Sequence, residues 1–87
     1  MTLYENECLA AGKDPEAVRK LARTLDRAAK QAEALGVKIF GGSGNGTIRS
    51  YDGDAQHPLV LALVDGHMWD GGDGAEFTDE NGLIRGE

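Results

Sequence analysis

Leu59-Val60-Leu61-Ala62-Leu63-Val64 is the longest unbroken apolar run in the chain. Six residues is the length of a strand and falls far short of the roughly 18 that a membrane-spanning helix needs. Read as a strand, it sets Leu59, Leu61 and Leu63 on one side and Val60, Ala62 and Val64 on the other. A strand that is apolar on both sides belongs in the middle of a sheet with both faces covered. The rest of the chain must then supply two covers. Helices can form one. The other falls to the C-terminal loops with Trp69 and Phe77, or to a second copy of the chain. The chain is 87 residues long, and 40% of them are hydrophobic. That is material for one domain with a modest core, in which only about 60–65% of the unfolded surface becomes hidden.

The N-terminal third reads as helix. Thr2 followed by Glu5 has capping-box spacing, and Leu3, Tyr4, Cys8, Leu9 and Ala11 fit a short helix that Gly12 ends. Asp14 then caps a second helix, with Pro15 pre-set at its first position. Val18, Leu21, Ala22, Leu25, Ala28, Ala29, Ala32 and Leu35 lay one apolar stripe along it, and Gly36 suits its end. The spacing predicts a helix over Pro15–Leu35. Arg19, Arg23, Arg27 and Lys30 form a basic strip beside that stripe. No recognition helix follows it, so a helix-turn-helix reader of DNA is not expected.

The remainder reads as short strands and turns. Val37–Phe40 and Thr47–Tyr51 are two of the strands, and Asn45-Gly46 between them is a strong hairpin signal. Gly41-Gly42-Ser43-Gly44-Asn45-Gly46 matches neither a dinucleotide fingerprint nor a Walker loop, because it opens a strand and lacks the lysine. Asp65-Gly66 marks a second turn and Asp79-Glu80-Asn81-Gly82 a third, with Leu83-Ile84-Arg85 as a short edge strand. The expected class is α+β. Two N-terminal helices, one short and one long, pack on one face of a small antiparallel sheet of three to five short strands. Residues 1–36 are the helical part and 37–87 the glycine-rich β part with acidic C-terminal loops, together one domain.

Charge is distributed unevenly. Residues 51–87 hold nine acids and one base, a sum of −8, whereas residues 1–50 sum to +2, giving −6 for the chain. Like charges repel in a compact state, so this excess suggests a surface for a basic partner. Asp52, Asp54, Asp65, Asp70, Asp73, Glu76, Asp79 and Glu80 are the candidate partner-binding residues. Trp69 stands among them as an apolar anchor, since tryptophan is enriched in binding hot spots.

No catalytic or metal site is predicted. Asp70-Gly71-Gly72-Asp73-Gly74 puts glycines where an EF-hand needs oxygen ligands. His57 and His67, near Asp52, Asp54 and Asp65, match no zinc or iron spacing. Ser43 lacks the strand-to-helix setting of a nucleophile elbow. Cys8 on a helix face reads as a small hydrophobe, and one cysteine makes no internal disulfide. The expectation is a non-enzymatic protein without cofactors. The N-terminus has no basic segment followed by an apolar one, so a cytoplasmic location is expected.

Asp14-Pro15-Glu16, the Ala/Leu/Arg-rich helix and Leu35-Gly36-Val37-Lys38-Ile39-Phe40-Gly41-Gly42-Ser43-Gly44 resemble small accessory proteins of bacteriophages and prophages. The resemblance spans Asp14–Tyr51 and brings no catalytic motif. It implies the class that includes anti-CRISPR and other anti-defence proteins. Such proteins occupy basic, nucleic-acid-binding surfaces of host effector complexes in the bacterial cytoplasm. The expected function is therefore that of an acidic inhibitor that binds a host protein or ribonucleoprotein, with no direct contact to nucleic acid or membrane. Two alternatives stay open. One is a self-assembling phage component that dimerises through its sheet. The other is an anion or nucleotide binder that uses Gly41–Gly46 and the arginine strip.

Overall fold

A computed structural model describes residues 1–42, 45–54, 56–65, 69 and 74–86 of the chain. Helix α1 is Glu5–Ala10 and helix α2 is Pro15–Leu35. Local chemistry fixes both ends of α2. The Asp14 carboxylate accepts the Glu16 N–H at 3.1 Å, satisfying one of the free donors of the first turn. At the other end Gly36 adopts φ +71°, and Val37 and Gly36 donate their N–H groups to Ala32 and Glu33. That pair of bonds is a Schellman motif, and the left-handed residue in it favours glycine. The same motif ends α1, with Gly12 at φ +70° and bonds from Lys13 to Cys8 and from Gly12 to Leu9. The expected Thr2–Glu5 capping box does not form. Tyr4 is extended and is the N-cap of α1, without a side-chain bond to the helix. The helix therefore begins beyond the reach of Thr2.

Among the described residues five strands form, in two antiparallel sheets. The first sheet has β1 (Lys38–Gly42), β2 (Asn45–Ser50) and β3 (Leu59–Val64) in that spatial order. The second pairs β4 (Glu76–Thr78) with β5 (Ile84–Gly86). The α+β class holds, with the strands divided three and two. The β1–β2 ladder runs to the pair Gly42↔Asn45. Asn45 and Gly46 thus lie inside β2 rather than in the turn, and Ser43 and Gly44 are outside the described residues.

Strand β3 has the predicted limits and a different environment. It stands at one side of the β1-β2-β3 order, and all six of its residues are exposed. The run of apolar residues selects a strand, but it does not by itself supply neighbours for both faces. A register shift at Ile48/Arg49 leaves Leu61 as the extra residue of a bulge opposite β2. No apolar side chain is buried among the described residues. The stripe of α2 is divided too: Val18, Ala22, Ala28 and Ala32 are half-buried, while Leu21, Leu25 and Leu35 face water, Leu35 at 77% exposure. Among the described residues, no helix is long and apolar enough to cross a membrane.

The chain divides into two compact units. One joins Met1–Ala28 to Gly74–Glu87; the other is Ala29–Asp73. In the first unit the Glu7 carboxylate accepts the Ile84 N–H at 2.8 Å, so a side chain of α1 satisfies a backbone donor of β5. In the second, Ser50 Oγ donates to the Gly36 carbonyl at 3.2 Å and ties β2 to the end of α2.

Candidate functional site

Within the second unit, the β1–β2 hairpin is built from two unlike faces. Gly41 and Gly46 are directly opposite one another in the ladder. Neither carries a side chain, so the pair leaves a bare patch of backbone. Trp69 covers it. A Cβ at Gly41 would lie 3.0 Å from Trp69 Cε3, and one at Gly46 would lie 3.0 Å from Cε2 and 3.1 Å from Cζ2. Gly46 is the one buried residue among those described, and Trp69 itself is half-buried. The indole is thus seated on this chain's own hairpin. The two glycines have their backbone in a strand ladder under a ring, which is a different arrangement from N–H groups converging on an anion.

The other face alternates cations and aromatics. Lys38 and Arg49 are opposite one another, a pairing that repels in isolation. Each is drawn to a ring instead. The Arg49 guanidinium lies 4.4 Å from the centre of Phe40, and Lys38 Nζ lies 5.4 Å from the centre of Tyr51. Arg49 also donates to Thr47 Oγ1 at 2.8 Å. Such contacts are worth about 0.5–1 kcal/mol each at exposed sites. The signal was present in the sequence: 38 and 40 share parity on one strand, as do 47, 49 and 51 on the next. Parity alone does not mark them as a set, because the pairing depends on the register between the two strands.

The predicted carboxylates occupy strand ends. Asp52 and Asp54 follow β2, and Asp65 follows β3 at the other end of that ladder. In the first unit Glu76 opens β4, while Asp79 and Glu80 lie in the connection to β5. Within each unit, then, the acids are divided between two ends instead of standing in one row. Asp70 and Asp73 lie outside the described residues, as does His67. Asp52, Asp65, Glu76 and Glu80 are exposed and have no ion-pair partner among the described residues. In the first unit Arg19 pairs with Glu16 at 2.6 Å and Arg27 reaches Thr24.

Two of the acids are structural. The Asp54 carboxylate accepts the N–H groups of Gln56 at 3.0 Å and His57 at 3.2 Å, and meets His57 Nδ1 at 3.1 Å. Those bonds hold its carboxyl below the ordinary value of 3.8. Asp79 accepts the N–H groups of Asn81 at 2.9 Å and Leu83 at 3.0 Å, and pairs with Arg85. The Arg85 contact first, then the Leu83 bond, lowers its carboxyl below 3.8. Asp79 is thus the knot of the β4–β5 connection.

Two open grooves flank these features. One, of about 440 Å³, lies between Glu7, Ala10 and Ala11 of the first unit and Leu83–Gly86. The other, of about 470 Å³, is lined by Ala29, Ala32, Glu33 and Val37–Ile39 in the second unit. Among the described residues, no group of three or more His, Cys, Asp or Glu is placed to hold a metal ion. No family model, curated protein or solved structure matches the chain.

Gly46→Val tests the indole seat. Valine favours a strand, yet its side chain must displace the ring, at a cost of about 1–3 kcal/mol. The chain has one tryptophan, so its emission reports directly: a red shift and readier quenching are expected, and an unchanged spectrum contradicts the seat. Asp79 gives a pH test. A lowered folded value means that its contribution is present above 3.8 and is lost as pH falls through the folded value. The Asn81 and Leu83 amide resonances should therefore move below that pH, and Arg85→Ala should return the Asp79 titration toward 3.8. An Asp79 titration unmoved by Arg85→Ala contradicts the pairing.

Proposed function

We propose that the chain is a non-enzymatic, acidic protein-binding module of the phage inhibitor class, acting on a basic, nucleic-acid-binding surface of a host protein or ribonucleoprotein. One observation carries the reading. Asp52, Asp65, Glu76 and Glu80 stay exposed without an ion-pair partner among the described residues, in the segment where the sequence sums to −8. An unneutralised field of that kind accelerates encounter with a basic surface and discourages acidic ones. Because the carboxylates stand at strand ends, the field is broad, and recognition rests on attraction more than on a copy of a phosphate row. Trp69, half-buried on its glycines, contributes apolar contact in this proposal. Both helices covering one face of the sheet belongs to the same proposal. The assignment to phage inhibitors comes from the resemblance over Asp14–Tyr51.

Capture from a nuclease-treated bacterial lysate tests it. The immobilised chain should retain a nucleic-acid-binding protein and displace nucleic acid from it. Raising salt from about 50 to about 500 mM should weaken capture at least tenfold, since screening removes the attraction. The variant Asp52→Asn, Asp65→Asn, Glu76→Gln, Glu80→Gln should lose capture at low salt. Capture indifferent to both changes overturns the proposal.

A further inference from the structure

We infer that the open face of the β1–β2 hairpin is a site for single-stranded nucleic acid, with a phosphate between Lys38 and Arg49 and a base against each of Phe40 and Tyr51. The site is independent of the inhibitor reading, since it uses none of the carboxylates. It departs from the expectation that the chain touches no nucleic acid, which came from the resemblance and not from this face.

The charge of the face is out of keeping with the chain. The sequence has 15 acidic residues against 9 basic ones. Yet Lys38 and Arg49 stand directly opposite one another, and neither is paired to a carboxylate among the described residues. Like charges in that position weaken a ladder. The rings of Tyr51 and Phe40 draw the two cations apart without neutralising them. Local rules are broken chiefly at functional sites, and an anion between these two cations removes the repulsion. Arg49 is set to receive it. Its guanidinium rests on Phe40 and its Nε donates to Thr47 Oγ1 at 2.8 Å, while neither Nη group makes a hydrogen bond among the described residues. A guanidinium held in this way presents its remaining donors to an oxyanion.

The rings select which anion. Register sets Phe40 level with Thr47 and Lys38 level with Arg49. Tyr51 lies two residues beyond Arg49 and meets Lys38. At about 3.3 Å of rise per residue, one ring stands about 7 Å to each side of the cation pair. Ring, charge pair, ring matches base, phosphate, base. The rings are about 13 Å apart along the strands, against about 3.4 Å between stacked bases of a duplex strand. An unstacked single strand reaches both, and a duplex does not. Phe40 and Tyr51 are 47% and 48% exposed, and Trp69 covers the opposite face of the hairpin. Aromatic rings beside a cationic track are the general means of holding single strands. The net charge of −6 opposes a polyanion at a distance, so binding rests on contact at this face.

Anisotropy of a labelled single-stranded oligouridylate of about 12 nucleotides tests the site at low salt. Saturable binding is expected, and a duplex of the same length should compete at least about tenfold less well. Lys38→Gln should weaken binding about fivefold or more and make its salt dependence shallower by about one phosphate. Phe40→Leu should weaken it by a similar factor and leave the salt dependence unchanged. Emission of Trp69 reports whether the hairpin of each variant is intact. A readout on the unaltered chain needs no variant to fold: iodouridine in the oligonucleotide should photo-cross-link to Phe40 or Tyr51. The variant with Asp52, Asp65, Glu76 and Glu80 neutralised should bind the oligonucleotide at least as tightly, which separates this site from the inhibitor reading. Absence of binding at about 100 µM chain, equal competition by polyglutamate, or cross-links confined to Trp69 and the α2 strip overturns the inference.

Discussion

Apolar surface left in water is the constraint on which everything else in this chain depends. Burial of such surface contributes about 25 cal/mol per Å² and is the main term opposing the entropy of an ordered backbone. Here Leu21, Leu25, Leu35, Phe77 and nearly all of β3 keep much of their area in water. What order the described residues show comes instead from local devices. These are the two Schellman ends, the Asp14 cap, the Asp54 and Asp79 carboxylate bonds and the cation–aromatic pairs of the hairpin. Each device is small, and none replaces a core.

The glycines show how a loop signal is reused for packing. Gly41 and Gly46 sit opposite one another so that an indole can lie on bare backbone. Glycine weakens a strand by entropy and lack of contact, and an aromatic ring across the strands restores contact. This division of labour explains why Asn45-Gly46, so strong as a turn dipeptide, lies inside β2. On the opposite face Phe40 leans over Gly42, where a Cβ would stand 2.7 Å from its ring, and carries Arg49.

Much of what depends on neighbours in sequence was legible, although two local signals, the Thr2–Glu5 capping box and the Asn45-Gly46 turn, were not realised. Asp14, Pro15 and Gly36 delimit α2 at the predicted residues, and the apolar run delimits β3. Asp79–Gly82 forms its turn because one carboxylate reaches the N–H groups of Asn81 and Leu83. What depends on distant residues was not legible. The run at 59–64 cannot state how many strands flank it, so its place at the side of the sheet was missed. Strand β4 is three residues, Glu76-Phe77-Thr78, too short for alternation to register. Of the candidate site, the exposed acids were identified by charge alone, whereas Asp54 and Asp79 proved to be tied into their own loops. The Lys38–Tyr51 and Arg49–Phe40 pairs depend on a register that no single strand contains.

The central claim is that local devices order the described sheet while its apolar side chains stay in water. Amide hydrogen exchange across β2 (Asn45–Ser50) in a dilute chain tests it most directly, because β2 is the interior strand of the sheet. Weak protection of these amides at about 1 µM is the result the account predicts. Strong protection at that dilution shows a sheet well supported within the single chain, and contradicts it.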